Sequence, residues 1–258
     1  MSSTTSRKHW GLQQRSMVPA RTFPGSLTTE PFRLEPKAER SPRTPDNSER
    51  IRRALNILVA AIGIIVAAPV MLIVAVLVKL TSPGPVIYKQ PRVGIDRRGN
   101  RGPGSDNYRR QADHGGRLFT IYKFRTMRND PKAGETWATK NDPRITPIGA
   151  FMRATRIDEL PQFFNVLKGD MNIVGPRPEQ PKIFSELRQD ITRYQDRQRV
   201  LPGITGLAQV NLGYDEDLEG VKKKVDLDLQ YIERRSPTED LMIMAKTMPV
   251  MVFRKVWM

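Results

Sequence analysis

Two adjacent carboxylates, Asp158 and Glu159, open a stretch that closes on the rigid turn Pro176-Arg177-Pro178. Arg153 and Arg156 precede the pair and Arg177 follows it. Acids set among guanidinium groups suit chemistry on a phosphate, where a carboxylate attacks or binds a cation while arginines neutralise oxyanions. The rest of the chain removes the usual rivals. Cysteine is absent, which excludes disulfides, thiolate metal sites and a cysteine nucleophile. The only two histidines, His9 and His114, lie in polar stretches, which argues against a serine triad or a zinc centre. Acid–base or nucleophilic work therefore falls to carboxylates, lysines or hydroxyls.

The elements that must position these groups follow from periodicity. Leu160, Phe163, Phe164 and Leu167 recur at i, i+3, i+4, i+7, which predicts a helix with a buried apolar face. With Asp158 as its cap, Pro161 falls in the first turn, and free backbone N–H groups there would favour a phosphate. Asp158 as nothing more than a cap, with Glu159 a first-turn acid, is the plainer alternative. Val86-Ile87-Tyr88 reads as a short strand, and the alternation of Phe119 to Arg125 as another, with Lys123 and Arg125 on one face. That face either meets a phosphate or is solvated. Gly203 and Gly206, in Leu201-Pro202-Gly203-Ile204-Thr205-Gly206, allow close approach to a ligand or merely punctuate a turn. Lys222 to Ile232 predicts a helix.

The net charge of +16 over 258 residues calls for an acidic partner: nucleic acid, anionic head groups or phosphorylated substrates. The excess is spread along the chain, so no block resembles a basic arm for nucleic acid. Residues 1–48, rich in Ser, Thr, Pro and Arg, read as a disordered basic tail. Residues 49–80 form a membrane-embedded helix, because Leu55 to Val78 carries no charge and reaches about 36 Å, enough for a ~30 Å hydrocarbon core. Pro69 sits near its middle and both flanks are basic, so spanning and re-entry both stay open. Residues 81–258 form the catalytic candidate, with an arginine-rich loop insertion at 96–116. Its C-terminal segment, 238–258, is apolar with Arg254, Lys255 and Trp257 beyond, and reads as lying in the membrane interface or as a core helix.

Five ordered motifs carry a resemblance. Lys123-Phe124-Arg125-Thr126-Met127, Asp142-Pro143-Arg144-Ile145-Thr146, Asp158-Glu159-Leu160-Pro161-Gln162, Gly175-Pro176-Arg177-Pro178 and Pro202-Gly203-Ile204-Thr205-Gly206 closely resemble the bacterial sugar transferases. These are monotopic phosphoglycosyl transferases that begin exopolysaccharide, O-antigen or glycoprotein glycan assembly. The resemblance implies transfer of a sugar-1-phosphate from a UDP-sugar to polyprenyl phosphate, with release of UMP. It implies Asp158 as nucleophile, forming a phosphosugar–aspartyl intermediate, and Glu159 orienting or deprotonating the lipid phosphate. Asp158 and Glu159 would hold Mg²⁺, and Lys123, Arg125, Arg153 and Arg177 would contact phosphate or uridine. It further implies an α+β, mostly helical domain on the cytoplasmic face of a bacterial inner membrane, with a re-entrant kinked helix and interfacial amphipathic helices. Nucleic acid is not an expected partner, and a homodimer is left open.

The chain departs from the family pattern in four places. The bend that the family builds on Ser-Pro is Ala68-Pro69 here. The 96–116 loop is long, Pro147 and Ala150 replace common basic residues, and Asn211 is followed by Leu212-Gly213-Tyr214 rather than Gly-Arg. Competing readings are a membrane-anchored basic binding protein, indifferent to Asp158→Asn, and a scaffold without catalysis. Intact Asp158, Glu159 and Arg153 weigh against the scaffold, and UDP release would mark a glycosyl transferase instead.

Overall fold

Uninterrupted apolar sequence produces one dominant helix. In the computed structural model, which describes residues 47–97, 113–128, 142–212 and 218–253, α1 runs from Asn47 to Thr81 and continues through Pro69. It is the one helix among the described residues long and apolar enough to cross a membrane. Only Arg52, Asn56, Ala60, Val74 and Val78 are buried along it. Ile65, Val66, Leu72 and Ile73 stay exposed, an apolar surface far larger than a water-facing helix carries. The tail, most of the 96–116 loop, Gly213-Tyr214, and Arg254, Lys255 and Trp257 lie outside the described residues.

The outgoing half of α1 meets the rest of the domain through Val74 and Val78, which pack with Phe124 and Met152. Phe124 ends β2 (Leu118–Phe124), which pairs antiparallel with β1 (Ile87–Val93) from Ile87↔Phe124 to Val93↔Leu118. The first strand is longer than its sequence signal: Pro91 sits within it, tolerated because a two-stranded ribbon has only edges. Past the strands, Gly94 N donates to Arg117 O (2.9 Å) and Arg117 N to Ile95 O (3.0 Å), so the insertion leaves and re-enters through a closed pair. Arg188 holds its returning end at Asp113 (3.1 Å).

A second, parallel pair joins β3 (Asn172–Val174) to β4 (Gly203–Thr205). Gly175 N donates to Thr205 O and Gly203 N to Pro176 O, both at 2.9 Å. A Cβ on Gly203 would collide with the backbone N of Gly175 and the O of Thr205. Of the two readings of these glycines, the structure supports close approach, but to another backbone segment rather than to a ligand.

The helices between and after are α2 (Pro147–Thr155), α3 (Gln162–Lys168), α4 (Pro181–Asp190), α5 (Leu207–Asn211), α6 (Leu218–Arg234) and α7 (Pro237–Phe253). The described residues are thus mostly helical with two small two-stranded sheets. In α7, Asp240 and Ile243 are buried while Leu241, Met242 and Met248 are exposed, so the helix has a packed side and an uncovered apolar side. Its packed side locks the start of α1: Arg52 Nε donates to Asp240 Oδ2 (2.9 Å) and Arg52 Nη2 to the Tyr231 hydroxyl (2.7 Å). The Tyr231 oxygen in turn lies 3.1 Å from Val174 O, tying α1 and α6 to β3.

One expected face is overturned. In α3 the buried residues are Gln162, Asn165 and Val166, whereas Phe164 is 45% and Leu167 38% exposed. Asn165 decides the orientation. Its Oδ1 accepts from Tyr122 N (3.0 Å) and its Nδ2 donates to Thr120 O (2.7 Å), so the polar side of α3 must face β2. Phe163 packs on Gly63 of α1, where a Cβ would sit 2.8 Å from the ring.

Candidate active site

The carboxylate pair is placed by a broken helix. Thr146 caps α2, its Oγ1 accepting from Gly149 N at 3.0 Å, and Pro147 occupies the first turn. After Thr155 the chain cannot continue, because Arg156 takes the left-handed conformation (φ 60°), which is strained for a residue with a side chain. A 3-10 turn, Ile157–Glu159, follows, and only after Pro161 does α3 begin. This corrects the expected cap: Asp158 sits inside the 3-10 turn, and Pro161 stands ahead of α3 with no side-chain cap. The N–H groups of Glu159 and Leu160 are spent on Arg156 O and Ile157 O, so they are not offered to a phosphate.

Both carboxylates are 7% exposed, yet their surroundings differ. Glu159 Oε1 accepts from Lys123 Nζ (2.8 Å) and Arg177 Nη2 (2.9 Å), with Arg156 Nη1 at 3.4 Å. Asp158 has no ion pair or side-chain hydrogen bond among the described residues. Burial pushes the Glu159 carboxyl up, but Arg177, Lys123 and Arg156 outweigh it and hold the group well below the usual carboxylate range. Burial and the neighbouring Glu159 charge instead push Asp158 up to about 6, against the pull of Lys123, Arg156 and Arg177. Burial lowers Lys123, partly offset by Glu159, and Glu159 raises Arg177. Two neighbouring acids are thereby split: one a neutralised anchor, the other a more basic, unpaired carboxylate still mostly ionised at neutral pH.

The elements that converge here are β2 for Lys123, the turn after β3 for Arg177, and the 3-10 turn with its preceding residue for the acids and Arg156. Of the sequence-predicted residues, Lys123, Asp158, Glu159 and Arg177 meet. Arg153 is held one motif away, its Nε on Thr126 Oγ1 (3.0 Å) and Nη2 on Met127 Sδ (3.1 Å). Arg125 is not brought to the cluster. The strand ends at Phe124, so the alternation that paired Arg125 with Lys123 no longer applies. The Arg125 guanidinium is buried against Ser82, donating from Nη2 to Ser82 O (2.7 Å) and Oγ (2.9 Å). Arg156 is the third cation on Glu159 and was not assigned a role from sequence, although its i, i+3 spacing was a usable signal.

Among the described residues no three His, Asp or Glu side chains converge as metal ligands. The two acids still suit Mg²⁺, which takes one or two protein carboxylates and leaves other positions to phosphates and water. Asp158, with neither oxygen committed to a cation, fits better than Glu159, whose Oε1 carries all three.

Residues 47–254 match the family model described as bacterial sugar transferase. The chain is 44% identical over 198 residues to UDP-N-acetylgalactosamine-undecaprenyl-phosphate N-acetylgalactosaminephosphotransferase of Aeromonas hydrophila, covering 76% of this chain and 42% of that protein. It is 41% identical over 202 residues to UDP-glucose:undecaprenyl-phosphate glucose-1-phosphate transferase of Escherichia coli K12, with 76% and 39% covered. With exopolysaccharide production protein PSS of Rhizobium leguminosarum it shares 36% identity over 207 residues, 76% of this chain and 92% of the relative. The chain thus spans about two fifths of the first two relatives and nearly all of the third.

Proposed function

The chain belongs to the bacterial sugar transferase family, and from that premise we propose that it moves a sugar-1-phosphate from a UDP-sugar to polyprenyl phosphate. The observation that carries this reading is the unequal acid pair: Glu159 bound by Lys123, Arg156 and Arg177, beside a buried Asp158 with no cation of its own. In the first step an Asp158 oxygen attacks the phosphorus that bears the sugar. The bond from that phosphorus to the bridging oxygen breaks, and UMP departs with the bridging oxygen. An oxygen of polyprenyl phosphate then attacks the same phosphorus, the bond to Asp158 breaks, and the carboxylate is restored. Splitting the transfer this way replaces one encounter of two anions by two steps at a fixed nucleophile.

Arg177 and Lys123 stand where they neutralise the transferred phosphate, and Glu159 holds both in place. Glu159, held charged by its three cations, also orients the lipid phosphate, and Arg153 steadies the transferred group. Arg125, fastened to Ser82, supports the exit of α1. Asp158, with Glu159 adjoining, would hold Mg²⁺, which would supply charge neutralisation of the diphosphate.

The uncovered apolar surfaces support a seat on a bacterial inner membrane from its cytoplasmic face. The apolar run of α1 enters the bilayer and, bent at Pro69, returns to the same side. Phe164 and Leu167 of α3 and Leu241 and Met242 of α7 lie in the interface. The test is nucleotide release from detergent-solubilised protein given undecaprenyl phosphate, Mg²⁺ and a panel of UDP-sugars. UMP that appears with one donor and vanishes in Asp158→Asn supports the mechanism; UDP as product overturns it.

A further inference from the structure

The turn Pro176-Arg177-Pro178-Glu179 lacks two N–H donors because of its prolines, yet each of its four carbonyls is held by a different donor. Gly203 N holds Pro176 O (2.9 Å), and Val93 N holds Glu179 O (2.9 Å). Arg92 Nη1 holds Pro178 O (3.2 Å), and Arg197 Nη2 holds Arg177 O (3.1 Å). Arg197 lies in the 3-10 stretch Tyr194–Arg199 and is 5% exposed. Its Nε donates to Asp228 Oδ2 of α6 (2.8 Å) and its Nη1 to the Tyr194 hydroxyl (2.7 Å). A buried guanidinium braced by a carboxylate and a phenol thus spends its third direction on the backbone of the arginine that reaches Glu159.

We propose that Arg197 is a positioning residue that sets the placement of Arg177 on Glu159, with Asp228 and Tyr194 orienting it. The effect on turnover rests on the transfer reaction proposed above; the effect on the turn does not. Pro178 already restricts Arg177 to extended backbone, so the remaining freedom is a tilt of the peptide unit that carries the Arg177 carbonyl. Arg197 removes that tilt. Its signal is invisible in sequence, since the pair with Asp228 bridges 31 positions and the contact with Arg177 is to backbone.

Arg197→Lys keeps an ammonium for Asp228 but cannot reach the carboxylate and the carbonyl together. The expected result is about a tenfold lower kcat/KM for UMP release, the fold-change for one hydrogen bond from a charged donor. Adding Arg197→Lys to Arg177→Ala should then cost nothing further, because the group being positioned is gone. Hydrogen exchange should quicken at Val93 and Gly203, which bond the same turn, and stay unchanged at Asn165 beside β2. The paired change Arg197→Gln with Asp228→Asn, which buries no charge, is the second variant should Arg197→Lys not fold. Losses that multiply in the Arg177→Ala background, or unchanged exchange at Val93 and Gly203, overturn the assignment. A wild-type protein that releases no UMP defeats the transfer reading alone, and exchange then decides the positioning.

Discussion

Glu159→Gln separates the two acids most sharply. The wild-type Asp158 carboxyl stands at about 6 because it is buried and because Glu159 carries a charge beside it. Glutamine deletes that charge and also frees Lys123, Arg177 and Arg156, which now bond Glu159 within 3.4 Å. Glu179 also acts on Arg177, but Lys123 and Arg156 have Asp158 as their remaining carboxylate neighbour in the acid pair and turn to it. A cation within about 4–6 Å lowers a carboxyl by roughly 1–3 units. Asp158 should therefore fall by at least about one unit, or about 1.4 kcal/mol in favour of its charged form. The assay is the burst of UMP in a single turnover without polyprenyl phosphate, which isolates attack by Asp158 from any role of Glu159 toward the lipid. Burst rate against pH should rise through a limb near 6 in the wild type, as the carboxylate ionises, and near or below 5 in Glu159→Gln. The plateau above the limb should be lower in the variant, because a less basic carboxylate is a weaker nucleophile. A limb that stays near 6, or moves up, would refute the idea that Glu159 tunes Asp158.

Lys123→Met should lower kcat/KM for UMP release by about 10²–10³, the usual loss for one charge-stabilising donor, with unchanged circular dichroism. Asp240→Asn leaves buried Arg52 with Glu49 (3.2 Å), itself partly exposed, as its carboxylate partner and should cost up to about 3 kcal/mol, read as a lower thermal midpoint in detergent; Arg52→Met with Asp240→Leu should recover part of it. Gly203→Ala should destabilise by about 1–3 kcal/mol or abolish folded expression, since its Cβ meets the Gly175 backbone. The charged form of Asp158 opposes folding above pH about 6, and that opposition fades as pH falls toward its ordinary value of 3.8. Asp158→Asn should therefore raise the thermal midpoint at pH 8 and leave it unchanged at pH 4.

What could be read from the residues depended on how local the cause was. Lys123 was legible because strand alternation carries it to one face, and α1 because composition alone makes it long and apolar. Arg125 does not join Lys123 at the acid pair, because it falls one step past the strand end, where Ser82 takes the guanidinium. The stripe on α3 was read as buried because apolar faces usually turn inward in water. Asn165 bonds two backbone groups of β2, and that polar pairing outranks the stripe. The 3-10 turn was hidden because nothing in Thr155-Arg156-Ile157 announces a left-handed arginine, and Arg197 because its partners are remote in sequence.

The closed pair formed by Gly94, Ile95 and Arg117 has a use outside enzymology. Because it closes the ribbon beyond the last register pair, the Gly94 and Arg117 amides report any fraying of β1 from β2 at the end away from the acid pair. Their exchange rates would follow a local opening of the ribbon while Lys123, at the far end, keeps its place.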